Sequence, residues 1–232
     1  MKTRYFKIIL IFLSMLLVLG FALAQSDSEE LVQIETEEFV EELEEVEVLN
    51  LIQNGDFESG QLSPWEVVLI NIKDFNKYEA EIFVDYFMWA RKNSEADGGY
   101  IGIKQSLGNY DVKEKKTLKL SFDILVSLQE LDSDGWAGGE YPANVELVFV
   151  DENNEEYVYK KCFILRGSKI NYPENNVTEI DSGDFYHFEI DLMQDHEILE
   201  NILSHPYLKE IRVGGSGWDF VGAVDNIFLT TK

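Results

Sequence analysis

The chain has 232 residues, with 44 acidic against 19 basic side chains and a formal net charge of −25 at pH 7. A field of that sign repels nucleic acid and anionic membrane surfaces, so neither is expected as a partner. The length admits one sizeable domain or two small ones, and an aromatic content of 13% is ample for a core. In chain order, Met1 to Ala24 begins with Lys2, Arg4 and Lys7, continues as an apolar run from Ile8 to Leu19, and ends in "ALA" before Gln25. That is the order of a secretory signal peptide, so 1–24 is read as a leader and the mature chain as exported. The rival reading is an uncleaved membrane anchor, the only way in which a membrane becomes a partner. Residues 25–48 hold eleven acids and no base. Self-repulsion makes this segment an extended acidic linker, although Phe39, Val40, Leu43 and Val46 also allow an amphipathic docking helix.

From Leu49 to Lys232 the texture changes to short strand-like runs between turn signals. In "TLKLSFDILVSL", Leu118, Leu120, Phe122 and Ile124 alternate with Lys119, Ser121 and Asp123, the period of a half-buried strand. "ANVELVFVDENNEEYVYKKCFIL" reads as two strands joined at Asn153 and Asn154, residues that tolerate left-handed backbone angles. "DFYHFEIDLM", "EIRVGG" and "VGAVDNIFLTT" supply further strands. Between the first two of these, Ile198, Leu199, Ile202 and Leu203 fall at helical spacing ahead of Pro206, which predicts a crossover helix on one rim. Many short strands and one helix predict an all-β sandwich, most simply a jelly roll. Cys162 is the only cysteine, so no intrachain disulfide braces the exported fold, and a buried inert thiol is expected there.

"NLIQNGDFESGQLSPW" resembles the opening of jelly-roll carbohydrate-binding modules of the galactose-binding-like superfamily, through Asn54, Gly55, Asp56, Phe57, Glu58, Gly60, Pro64 and Trp65. "VGAVDNIFL" resembles their closing strand, with Asp225 at its acidic position. The middle, from "EADGGYIGIKQSL" to "VGGSGWDF", departs from that pattern. The resemblance implies that the first and last strands lie together and that a structural calcium is held there by Glu58 and Asp225, with Asp56 and Glu95 as further oxygen donors. Hard carboxylate ligands suit that ion. It also implies a secreted, non-catalytic module for a carbohydrate or cell-envelope polymer. Trp89, Trp136, Tyr141 and Trp218, which lie near Gly, Asp or Asn, are the aromatics that would stack on sugar rings. Aromatics are a core's largest source of burial, so each of the four reads more readily as a core residue than as a ligand contact, Trp218 above all because Phe220 and Val221 flank it. The alternative is a structural or protein-interaction domain of the envelope without sugar binding.

An enzyme is not expected. His196 and His205 stand nine apart, and Glu200 occupies the place where a zinc peptidase helix needs its second histidine. There is no G-x-S-x-G elbow or phosphate loop, and His187, alternating with Phe185 and Glu189, reads as a structural strand residue.

Overall fold

The computed structural model describes residues 48–72, 78–83, 85–91, 99–130, 140–168 and 176–232. The expected leader and nearly all of the acidic linker lie outside them. Among the described residues no helix is long and apolar enough to cross a membrane.

The chain is a two-sheet jelly roll. Its strands are β1 (Leu49–Asn50), β2 (Glu66–Ile70), β3 (Tyr78–Phe83), β4 (Tyr86–Arg91), β5 (Gly99–Asp111) and β6 (Leu118–Gln129). They continue as β7 (Tyr141–Val150), β8 (Glu156–Leu165), β9 (Val177–Ile180), β10 (Tyr186–Asp191), β11 (Tyr207–Gly217) and β12 (Phe220–Thr231), with helix α1 (His196–Ser204) between β10 and β11. Sheet I runs β10-β6-β12-β4-β3, with β1 on the far end of β12; sheet II runs β2-β5-β11-β7-β8-β9. Leu49 pairs with Thr231 and Asn50 with Thr230, which brings the two ends of the domain together as the resemblance implied.

The predicted alternation in β6 places Leu118, Leu120, Phe122, Ile124 and Val126 on the inner face with no exposed surface. They meet Val145, Leu147 and Phe149 of β7 and Ile211 and Val213 of β11 across the sandwich. Burial on this scale is the main source of stability, roughly 1.5–3 kcal/mol for each fully buried large side chain. The β7–β8 hairpin turns where expected: Asp151 Oδ1 accepts the backbone N–H groups of Asn153 and Glu155, each at 2.8 Å, and Asn154 adopts φ 63°. Helix α1 is capped by Asp195, whose side chain accepts from Glu197 N and Ile198 N, and it buries Ile198 and Ile202. Phe57 is fully buried. Gly55 is required for a different reason from Gly60: Gly60 has φ 62°, whereas a Cβ at Gly55 would strike the Ile227 carbonyl of β12.

Candidate functional site

The four aromatics named from sequence part company. Trp89 has no exposed surface; its indole N–H donates to Pro142 O at 2.9 Å, so the ring is a strut between the sheets and offers no stacking face. This corrects its reading as a ligand-binding residue: an inner position of β4 outweighed the polar neighbourhood in sequence. Trp136 lies outside the described residues. Tyr141 is 6% exposed on the outer side of sheet II, packed with Cys162 and Ile164, and Lys160 Nζ stands 5.1 Å above its ring. Trp218 is half-buried in the turn between β11 and β12, not in the core. Its N–H is fixed by Glu140 Oε1 at 2.8 Å, while Arg91 Nη1 donates to Gly217 O at 2.9 Å.

Strand register builds a second arrangement on the outer face of sheet II. Glu66, Lys104, Arg212, Glu146 and Lys160 form one row across five strands. Val68, Gly102, Gly214, Asn144 and Cys162 form the next, and Ile70, Tyr100, Ser216 and Tyr141 the third. The glycines are there because Tyr100 lies down on them. A Cβ added at Gly102 would stand 2.8 Å from the Tyr100 hydroxyl, and one at Gly214 2.8 Å from Cζ of the same ring. Among the described residues, the Tyr100 hydroxyl and both amide atoms of Asn144 are buried without a hydrogen-bond partner. Buried polar atoms normally find partners, and each that does not costs about 1–3 kcal/mol.

The charged row is internally compensated. Arg212 Nε donates to Glu210 Oε1 at 2.5 Å, Arg212 Nη1 lies 3.7 Å from Glu146 Oε2, and Lys160 Nζ lies 3.9 Å from Glu146 Oε1. Burial alone would lower the Arg212 pKa, but the hydrogen bond and charge of Glu210, with Glu146, hold it above its ordinary value. Burial pushes the Tyr100 hydroxyl well above the ordinary tyrosine value; Glu146 and Glu210 add to the shift and Arg212 opposes it. A cavity of about 330 Å³ opens beside this row, lined by Gln53, Pro64, Glu66, Lys104, Ser106 and Glu210. Sequence reading missed Tyr100, Asn144, Glu146, Lys160, Glu210 and Arg212. The available signal was glycine at alternating strand positions in "YIGIK" and "RVGGSG", where an outward side chain is normal.

Of the calcium donors implied by resemblance, Asp56 acts on Asp225. Among the described residues no three His, Cys, Asp or Glu side chains are grouped to hold a metal, and Glu95 lies outside those residues. The carboxylates acting on Asp225 are Asp123, Asp56 and Asp85, without Glu58. Asp225 sits beside a bulge of β12, where Asn226 donates through its N–H to Asp225 Oδ1 at 2.7 Å and through Nδ2 to Asp225 Oδ2 at 3.0 Å. Asn226 Nδ2 also donates to Asp123 Oδ2 at 2.9 Å, and Asp123 Oδ1 meets His187 Nδ1 at 2.7 Å. Burial, and then these aspartates, push the Asp225 carboxyl up to about 6 from 3.8, against the opposing pull of the Asn226 N–H.

Folding therefore favours protonated Asp225. Its contribution is most favourable below its unfolded pKa of 3.8 and is lost as pH rises through about 6. In chelator, Asp225→Asn is expected to stabilise the fold at pH 7 by about 1 kcal/mol, a figure reduced for solvent screening, and to change little at pH 3.5. Urea unfolding at both pH values measures this. A destabilised variant at pH 7, or a rise in the parent's midpoint with calcium that the variant lacks, would instead make Asp225 a ligand.

No protein-family model matches the chain, and no curated protein matches it. Solved structures do. A family 11 carbohydrate-binding module from Clostridium thermocellum, in complex with a beta-1,3-1,4-mixed-linked tetrasaccharide, is 18% identical over 78% of this chain and 94% of its own, with a TM-score of 0.45. A xylan-binding domain from Paenibacillus barcinonensis is 7% identical over 79% and 94%, with a TM-score of 0.46. A family 16 carbohydrate-binding module is 14% identical over 78% and 99%, with a TM-score of 0.41. Each is a carbohydrate-binding domain.

Proposed function

We propose that the chain is an exported, non-catalytic carbohydrate-binding module that holds its glycan on the outer face of sheet II. The observation that carries this reading is the partly exposed Tyr100 ring laid over Gly102 and Gly214 on the outer side of sheet II. A pyranose presents apolar C–H faces and polar hydroxyl edges. An aromatic ring lying along a sheet suits the first, and outward polar and charged side chains suit the second. The row from Glu66 to Lys160 adds carboxylate acceptors and cationic donors, and the cavity beside Lys104 and Glu210 gives room for a ring at the end of the track.

Binding to soluble and insoluble glycans, by affinity electrophoresis and pull-down, tests the reading. Tyr100→Ala should weaken retention about tenfold, the equivalent of one lost stacking contact. Asn144→Leu is a packing control: Asn144 has no exposed surface and its amide is unbonded, so the change should leave the fold as stable or raise it by about 1–3 kcal/mol and leave retention as it was. Glu79→Gln, on sheet I, should change neither. No retention of the parent on any glycan, or equal retention of parent and Tyr100→Ala, would overturn the proposal.

A further inference from the structure

The outer face of sheet I carries a separate surface at the corner where β3 turns into β4. Phe83, at the end of β3, stacks on Tyr86, at the start of β4, with centroids 5.9 Å apart and planes 16° from parallel. Phe185, just before β10, meets Tyr86 edge-on at 5.7 Å and 68°. Phe83 is 37% and Phe185 41% exposed. Folding thus brings Phe185 from a distant segment against the two rings of the β3–β4 corner and leaves all three partly in water, where apolar surface is unfavourable.

Acids stand beside these rings. Val224 pairs with Phe87 on one side and Ile124 on the other, so the next outward positions set Asp225 beside Tyr86 and opposite Asp123. Asp85 directly precedes Tyr86 and acts on Asp225, and exposed Glu81 follows the same outward side of β3 as Phe83. His187 is the base joined to this group, through Asp123. Both the ring faces and the carboxylates attract positive charge.

We propose that this corner docks a basic, apolar polypeptide segment, one that sets lysine or arginine next to a large apolar side chain. The apolar side chain covers Phe83 and Phe185, and the cation reaches Asp85 and Asp225. Charge decides against the other occupants. A second copy of this chain brings the same acids and a net charge of −25 of its own. The chain's acidic residues 25–48 hold eleven acids and no base, and would be repelled in the same way. The surface is on the opposite side of the sandwich from Tyr100 and works independently of glycan binding.

The test uses the chain from Gln25 onward and a labelled peptide of alternating lysine and leucine, followed by fluorescence anisotropy, with a glutamate–leucine peptide as its counterpart. The lysine peptide should bind and the glutamate peptide should not, and raising salt from low to physiological should weaken binding. Phe83→Ser with Phe185→Ser should lower affinity about tenfold, and Asp85→Asn with Asp225→Asn by a similar factor. Circular dichroism checks that both variants fold, and Tyr100→Ala should bind the peptide normally. Equal binding of the two peptides, or unchanged affinity in the phenylalanine variant, would overturn the proposal. So would loss of self-association or of glycan retention as that variant's only effect, which would give the corner to a second copy or to sugar.

Discussion

Glu140→Ala is expected to lower stability by about 3–5 kcal/mol, the range for removing one partner of a buried charge pair. Glu140 has no exposed surface, and its Oε1 accepts from Trp218 N at 2.8 Å and Asp219 N at 2.7 Å. Arg91 is 3% exposed; burial pulls its pKa down, and the charge of Glu140 pulls it back up. Alanine would remove both the anion that steadies this guanidinium and the acceptor for two turn N–H groups. The backbone has adapted to the carboxylate as well: Gly217 takes φ 142°, and a Cβ there would lie 2.7 Å from Glu140 Oε1. Glu140→Gln keeps an acceptor without the charge and should cost less. Urea unfolding reads the outcome, with exposed Glu152→Ala as control. A Glu140→Ala midpoint matching the control would show that the β11–β12 turn does not depend on this carboxylate. Domains of this size have total stabilities of about 5–15 kcal/mol, so the expected loss would strongly raise the unfolded population at 37 °C.

That carboxylate also explains why Trp218 was misplaced from sequence. Its neighbours Phe220 and Val221 suggest a core position, but residue 218 falls in the turn between β11 and β12 whose N–H groups are tied to Glu140, and its side chain stays only half-buried, outside the core. Trp89 was misread in the opposite direction. Its place near Gly, Asp or Asn made it a candidate for stacking on sugar, whereas β4 alternates so that Phe87 and Trp89 point inward. What was legible had local causes: the period of two in β6, the paired asparagines of the β7–β8 turn, and the helical spacing of α1. The signatures at the two ends correctly implied that β1 and β12 pair.

The candidate glycan site was hidden for a non-local reason. Gly102 and Gly214 reveal a purpose only once β5 and β11 are known to be neighbours in register, and more than a hundred residues separate them. Asn144 and Glu146 do alternate with Ala143, Val145 and Leu147 in sequence, but that Asn144 has no exposed surface follows from its packing against neighbouring strands, which no local pattern shows. Asp225 was noticed, but as a ligand to be neutralised by a metal. Its neighbours Asp123, Asp56 and Asp85 come from three separate segments, and no sequence spacing announces that they converge on it.

Trp89→Ala should be among the most damaging single changes in the domain, costing about 3–5 kcal/mol from lost burial and the cavity left behind. The indole is fully buried, lies 6.2 Å from the Phe87 ring, and reaches across the sandwich to Pro142 O. Losing that bond strands a buried carbonyl, so Trp89→Phe should still cost about 1–3 kcal/mol. Two glycines make room for the ring. A Cβ at Gly215 of β11 would lie 2.8 Å from Trp89 Nε1, and one at Gly222 of β12 would lie 2.7 Å from Cζ2. Gly222→Ala should therefore destabilise the parent, yet be tolerated better once Trp89 is alanine, since the methyl then enters vacated space. The coupling in this double-mutant cycle should exceed about 1 kcal/mol, as it does for residues in direct contact. Strictly additive losses would mean that Gly222 is required by its contact with the Pro142 carbonyl, also 2.7 Å from the added Cβ, and not by the indole.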